Sequence, residues 1–145
     1  MGILHGNYGG NYFQLIYTTK IKHNVMKFQK LSLSIFIATY NRSSKLKRVL
    51  DFINKDAIET NCRNRFEIVV SDNNSDDDTI RICKIMKKKG FLDDYFRNKK
   101  NIGPCQNMMT ATWRSSGNFI WLLCDDDLPV SGAIKNILEI IKNFE

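Results

Sequence analysis

The sequence predicts an α/β fold, a three-layer sandwich in which a mostly parallel sheet carries helices on both faces. Three observations carry that expectation. Strand-like and helix-like segments alternate four times along the chain. The strand segments "LSLSIFIAT", "FEIVVSD" and "FIWLLC" are nearly continuous apolar runs, the pattern of strands covered on both faces. The intervening segments keep apolar residues at helical spacing and open on capping residues.

Taken in order, Met1 to Lys27 hold glycines and aromatics ("GNYGGNYFQLIYTTK") without a clean helix or strand period. A positive leader and a small-residue cleavage site are both missing, so this is not a signal peptide. "MKFQKLSLSIFIATYNR" reads as a short polar lead into a first strand. Residues 1–27 are therefore expected to be an N-terminal extension, with Met26 an alternative native start, and residues 28–145 the folded unit. Leu31 to Thr39 form the first strand. Ser43 or Ser44 caps a helix with inner positions Leu46, Val49, Leu50 and Ile53. Phe66 to Asp72 form a second buried strand. Ser75 then caps a helix carrying Asp76, Asp77 and Asp78 in its first turn, where carboxylates suit the dipole. Ile80, Cys83, Ile85 and Met86 face inward, and Gly90 ends the helix. A short strand spans Tyr95 to Asn98, and Pro104 opens a helix running to about Arg114. Phe119 to Cys124 are the most strand-like run. The tail "SGAIKNILEIIKNFE" is an amphipathic helix capped by Ser131.

Composition narrows the function classes. The chain has 145 residues, enough for one domain with a true core. Its four cysteines are scattered, with no C-x-x-C pair and no histidine cluster, which argues against zinc and against a disulfide framework. They read as reduced thiols, implying a cytoplasmic setting. No apolar run approaches the roughly 20 residues needed to span a bilayer. The net charge of +7 owes much to Lys87, Lys88 and Lys89 and to Lys99 and Lys100, which read as a solvated helix end and a loop. No basic stripe with interleaved aromatics is present, so nucleic acid is not an expected partner. Peripheral association with an anionic membrane, at its inner face, rests on charge alone. A dinucleotide-binding oxidoreductase is disfavoured, because no G-x-G-x-x-G follows the first strand.

Ligands of such sheets bind at the carboxyl ends of the strands. Three of those ends carry conspicuous residues: Thr39-Tyr40-Asn41, Asp72-Asn73-Asn74 and Asp125-Asp126-Asp127. Asp72 and Asn41 also suit plain turns, at about even odds for Asp72. The run Asp76 to Asp78 reads as helix N-terminal charge. The triplet in "LLCDDDLP" is harder to dismiss, because close carboxylates raise one another's pKa unless a cation or several donors compensate. In extended backbone Asp125 and Asp127 point the same way and can address one ion. A hard divalent cation, Mn²⁺ or Mg²⁺, takes such oxygen ligands together with substrate phosphates and offsets charge on a diphosphate leaving group.

These residues resemble the family-2 glycosyltransferases. "LSIFIATYNR" is similar to that family's opening strand and T-Y-N turn. "FEIVVSDNNSDDDT" resembles its second strand, "NKKNIGPCQNMMTAT" its N-x-G segment and following helix, and "SSGNFIWLLCDDDLPVSGAI" its G-x-[YF]-[IV] strand and D-x-D motif. The resemblance covers roughly Lys30 to the end, and implies a Rossmann-like GT-A fold whose residues 28–145 are the nucleotide-sugar-binding half. It implies metal-assisted, inverting transfer from a nucleotide-diphosphate sugar to a carbohydrate or lipid-linked acceptor, in surface polysaccharide synthesis. Thr39, Asn41 and Asp72 are then expected at base and ribose and Asp125 at ribose or sugar, with Tyr40, Asn101, Gly103, Asn107 and Asp126 also at the donor. Asp125 and Asp127 are expected at the metal. In that family an acceptor half with the catalytic base follows the D-x-D, so no catalytic base is assigned here. The expectation is a donor half of a longer enzyme, or alternatively a truncated, non-catalytic nucleotide-sugar-binding remnant.

Overall fold

The computed structural model describes residues 3–4, 16–18 and 33–144. Two short strands, β1 (Ile3–Leu4) and β2 (Ile16–Thr18), come first. Next come β3 (Leu33–Thr39), α1 (Ser43–Glu59), β4 (Phe66–Asp72), α2 (Thr79–Lys88) and β5 (Asp94–Arg97). Two short helices, α3 (Pro104–Met109) and α4 (Ala111–Arg114), lead into β6 (Phe119–Cys124) and α5 (Ala133–Ile141). The strands form one sheet in the order β1-β2-β6-β3-β4-β5. β6, β3, β4 and β5 are mutually parallel, while β1 and β2 add an antiparallel edge.

The expected sandwich is what the chain adopts. On one face Leu33, Ile35 and Ile37 of β3 pack with Leu46, Leu50 and Ile53 of α1, Cys83 and Met86 of α2, and Ile134 and Leu138 of α5. On the other, Phe36, Val69 and Ile120 pack against Ala111 of α4. The alternation of Ile35, Phe36 and Ile37 between faces follows from the period of two in a strand. Each such side chain, once fully buried, contributes roughly 1.5–3 kcal/mol, so the helix-rich first face supplies most of the stability.

The opening segment lacks strand periodicity in its sequence, yet it supplies β1 and β2. β2 is held by pairing with β6, in the register Ile16 to Trp121 and Thr18 to Phe119, and β1 by pairing with β2, which needs no hydrophobic repeat. The lead from Met26 and the expected strand start at Leu31 lie outside the described residues.

Three caps differ from expectation. α2 starts at Thr79 rather than after Ser75. The Ser75 N–H and hydroxyl are drawn to Asp72 Oδ1 at 2.8 and 2.6 Å, so Ser75 closes the turn after β4 instead. α5 starts at Ala133, and the carboxylate of Asp56 on α1 accepts both the Gly132 N–H (2.7 Å) and the Ser131 hydroxyl (3.2 Å). α1 likewise takes no cap from Ser43 or Ser44: the Ser43 N–H donates to Asp77 Oδ2 at 2.8 Å. At α1 and α5 a carboxylate distant in sequence satisfies an orphan donor that a local hydroxyl was expected to take, while at α2 the nearby Asp72 draws the hydroxyl away.

Gly117 precedes β6 where the chain crosses the start of β3. A Cβ there would meet the backbone of Leu33 and Ser34 at 2.7 Å, so only glycine fits. Its N–H donates to Ser34 Oγ (2.8 Å), which in turn donates to the buried Glu67 carboxylate (2.5 Å).

Candidate functional site

The parallel register aligns the carboxyl ends of the strands. Thr39 lies opposite Asp72, and Ala38 opposite Cys124. The three conspicuous ends therefore share one rim, as the sequence led us to expect. Between them lies a cleft of about 310 Å³ lined by Ala38, Thr39, Tyr40, Arg42, Asn73, Asn101, Pro104, Asn107, Met108, Cys124, Asp125 and Asp126. That volume sits at the lower end of small-ligand sites.

Of the expected residues, Thr39, Tyr40, Asn101, Asn107, Asp125 and Asp126 line this cleft, and Asn41, Asp72, Gly103 and Asp127 do not. Asp72 is fully buried behind it. Its Oδ1 accepts from Ser75, its Oδ2 accepts the Tyr95 hydroxyl at 2.8 Å, and Arg97 Nε lies 3.5 Å away. Burial, then Asp72 itself, pushes the Tyr95 hydroxyl up, so Tyr95 stays a donor. Asn41 adopts a left-handed conformation with φ +51°. Its N–H donates to Ser75 Oγ and its Oδ1 accepts the Asp76 N–H, both at 2.9 Å, which locks the loops after β3 and β4 together.

The far wall is an amide network. Asn107 Oδ1 accepts from Ser71 Oγ (2.6 Å) and Asn98 Nδ2 (2.9 Å), and its Nδ2 donates to the Ser71 carbonyl (2.9 Å). Asn73 Nδ2 donates to Asn101 Oδ1 (2.8 Å), which also accepts the Gly103 N–H (2.8 Å). Gly103, at φ +85°, turns the chain into Pro104 at the first helical position. Arg114 closes the network, donating to Ser71 and to Asn98 Oδ1 and lying 5.0 Å over the Phe96 ring. Burial pushes its guanidinium down.

The acidic turn differs most from expectation. The stretch is not extended: the Asp127 N–H donates to the Cys124 carbonyl at 3.3 Å, closing a turn with Asp125 and Asp126 at its centre. Asp125, buried, accepts from Thr39 Oγ1 at 2.7 Å and from Arg42 Nη1 at 3.1 Å. Asp126 pairs with Arg42 Nη1 and Lys45 Nζ, each at 3.2 Å. Asp127 makes no ion pair among the described residues and stands beside Cys124. That thiol is pushed up by burial first and then by the Asp127 charge. Burial raises the Asp125 carboxyl, with the Thr39 and Arg42 hydrogen bonds opposing. The triplet is thus compensated mainly by α1 and the residue before it. Among the described residues no three His, Cys, Asp or Glu side chains lie close enough together to hold a metal by themselves.

Arg42 and Lys45 escaped the sequence reading, although Arg42 directly follows the T-Y-N turn. Asn73 was read as a turn residue and lines the cleft. Asp77 was read as helix charge and caps α1. The only available signal was the excess of carboxylates at one rim, which calls for cations somewhere without naming them.

Comparison with known proteins agrees with this architecture. The family model described as glycosyl transferase family 2 matches residues 34–145. The chain is 32% identical over 108 residues to a GalNAc(5)-diNAcBac-PP-undecaprenol beta-1,3-glucosyltransferase of Campylobacter jejuni, covering 74% of this chain and 33% of that protein. It is 31% identical over 113 residues to the abequosyltransferase RfbV of Salmonella typhimurium, covering 77% and 32%. Among solved structures, S. aureus TarS 1-349 in complex with UDP superposes with a TM-score of 0.67 at 24% identity, over 77% of this chain and 32% of that one. The mannosyltransferase PcManGT from Pyrobaculum calidifontis, in complex with GDP-Man and Mn2+, gives 0.65 at 20% identity, over 75% and 32%. The fold is therefore of the GT-A, Rossmann-like class. The chain belongs to glycosyl transferase family 2, and it spans about a third of the length of the curated relatives it matches. Among the described residues no helix is long and apolar enough to cross a membrane.

Proposed function

We propose that this domain binds the nucleotide-diphosphate sugar of a metal-assisted, inverting glycosyltransferase that delivers the sugar to an acceptor hydroxyl in surface polysaccharide assembly. The observation that carries this reading is the cleft itself, which sits at the carboxyl rim of a family-2 sheet and is bordered by an acidic turn. Tyr40 and Thr39 border the space for base and ribose, and the Asn73, Asn101 and Asn107 amides form its polar wall. Asp72 acts from behind, fixing the loop that carries Asn73. A lipid-linked acceptor is supported by the Campylobacter relative, whose name specifies a -PP-undecaprenol compound. Such an acceptor calls for a cytoplasmic protein working at the inner membrane face. We assign no general base among the described residues.

A divalent cation, Mn²⁺ or Mg²⁺, fits this site only in part. Asp127 carries a half-buried carboxylate without an ion pair among the described residues, and one carboxylate plus substrate phosphates is an ordinary way to hold Mg²⁺. Asp125 already has two partners, so Asp127 is the favoured ligand and Asp125 the second. When bound, the ion supplies charge compensation for the departing diphosphate. The chain's own part is to fix Asp127 next to the cleft-lining Cys124 through the Cys124–Asp127 turn and to hold Asp125 with Thr39.

Calorimetric titration with nucleoside diphosphates, with and without Mn²⁺, tests the reading. Binding is expected to tighten with Mn²⁺. Asp127→Ala is expected to lose that gain by about tenfold or more, the scale on which even outer-shell partners of a metal act. Binding that ignores both the ion and the substitution rejects the metal assignment, and no binding at all rejects the donor reading.

A further inference from the structure

Arg42 occupies an unusual place for a residue at the head of a helix. Its side chain is half exposed and lines the cleft. Its Nη1 sits between two carboxylates, 3.1 Å from Asp125 Oδ1 and 3.2 Å from Asp126 Oδ2. Lys45, one turn along α1, reaches the same Asp126 oxygen at 3.2 Å. Both cations come from the element that follows β3, while both carboxylates come from the turn that follows β6, more than 80 residues later. Asp125 is buried, so its charge needs a fixed partner, and a guanidinium is a permanent one. Asp126 is part-exposed and has two partners where solvation alone would serve. The acidic turn is therefore largely neutralised before any external ion reaches it.

A free divalent cation entering this turn meets, among the described residues, one carboxylate without an ion pair, Asp127, one with both oxygens hydrogen-bonded, Asp125, and one with Oδ2 paired, Asp126. It also meets the positive charge of Arg42 at close range. A nucleoside diphosphate changes that balance by bringing its own negative charge to the same mouth.

We propose that Arg42 is a resident counter-ion of the acidic turn: it holds carboxylate oxygens that a divalent cation would otherwise take, so that the cation is accepted with a diphosphate and poorly alone. Lys45 does the same for Asp126 to a lesser degree. The proposal rests on the donor reading above and adds a positioning residue to it.

The test is Mn²⁺ binding without nucleotide, read by the loss of the free-ion signal in electron paramagnetic resonance, on the whole chain. Wild type is expected to bind Mn²⁺ weakly. Arg42→Gln is expected to bind it about tenfold more tightly, the effect of removing one unit charge a few ångströms away in a partly exposed site. The enhancement of Mn²⁺ binding by added nucleoside diphosphate should shrink in this variant, and by reciprocity the enhancement of nucleotide binding by Mn²⁺ shrinks equally. Arg42→Lys, which keeps the charge, is expected to stay close to wild type. Lys45→Gln leaves the Asp125 pair intact and is expected to gain in the same direction by a smaller factor. If Arg42→Gln does not fold, Lys45→Gln decides alone.

Unchanged or weaker Mn²⁺ binding in Arg42→Gln overturns the proposal, as does an equal gain in Arg42→Lys. A merely structural ion pair would lower the melting temperature of Arg42→Gln without raising its Mn²⁺ affinity. Failure of the donor reading has a different signature: wild type would bind no nucleoside diphosphate in the presence of Mn²⁺, whatever the variants do with the ion alone.

Discussion

Asp77 serves two helices with one side chain. Its Oδ2 accepts the Ser43 N–H at 2.8 Å, at the start of α1, and its Oδ1 accepts the Thr79 N–H at 3.0 Å and hydroxyl at 2.5 Å, at the start of α2. Burial alone would raise this carboxyl, but the donors of Thr79 and Ser43 outweigh it and hold it below the usual range. A depressed folded-state pKa contributes stability that is present above the unfolded value, about 4, and lost as pH falls through the folded one. Asp77→Ala is therefore expected to cost about 1–4 kcal/mol at neutral pH, two caps at about 0.5–2 each. The gap to wild type in urea melts should narrow in acid, and a gap indifferent to pH would refute this account. Single residues were legible in the sequence where their role is local. Thr39 and Asp125 could be placed at a strand end, Pro104 at a helix start. Arg42, Lys45 and Asp77 act across more than 30 residues of chain, and no local pattern encodes those pairings.

Strands were the most readable elements. Phe66–Asp72 and Phe119–Cys124 match the expected strands residue for residue, because the unbroken apolar runs Ile68–Val70 and Phe119–Leu123 mark strands covered on both faces. Helix starts were less readable, since Asp56 and Asp77 supply from elsewhere the caps that Ser131 and Ser43 were expected to give. The helix expected from Pro104 to Arg114 is divided at Thr110, whose hydroxyl turns back to the Asn107 carbonyl at 2.7 Å. At this scale Gly117 is the sensitive joint between α4 and β6. Gly117→Ala would force a methyl group into the backbone of Leu33 and Ser34 at 2.7 Å. The expected loss is about 1–3 kcal/mol, the usual cost of overpacking. Chemical denaturation measures it, and a variant as stable as wild type would contradict the tight crossing.

For the molecule as a whole, the convergence of three strand ends on one rim was legible from alternation alone, because parallel strands have their carboxyl ends together. The occupants of the acidic turn were not, since charge compensation depends on which loops become neighbours. Nor was the antiparallel edge formed by β1 and β2, whose few residues carry no period. That edge gives a prediction for deletion of residues 1–27. β6 would lose the partner that pairs with Ile120 and Trp121, leaving an open strand edge that promotes self-association. The cleft is built from residues beyond position 37, so nucleoside diphosphate affinity should be unchanged. Light scattering and calorimetry on the shortened chain check the two halves of this expectation separately.

The position of β6 also orders events during synthesis. It lies between β2 and β3, both of which leave the ribosome long before it does. The growing chain can pair β3 with β4 and then β5 as they emerge, but the other side of β3 has no partner until Phe119–Cys124 is made. β6 then joins this free side of β3, and the acidic turn follows it out of the ribosome. Until it seats, Arg42 has no carboxylate from that turn to hold. Translation must therefore pass Cys124 before the cleft exists in any form.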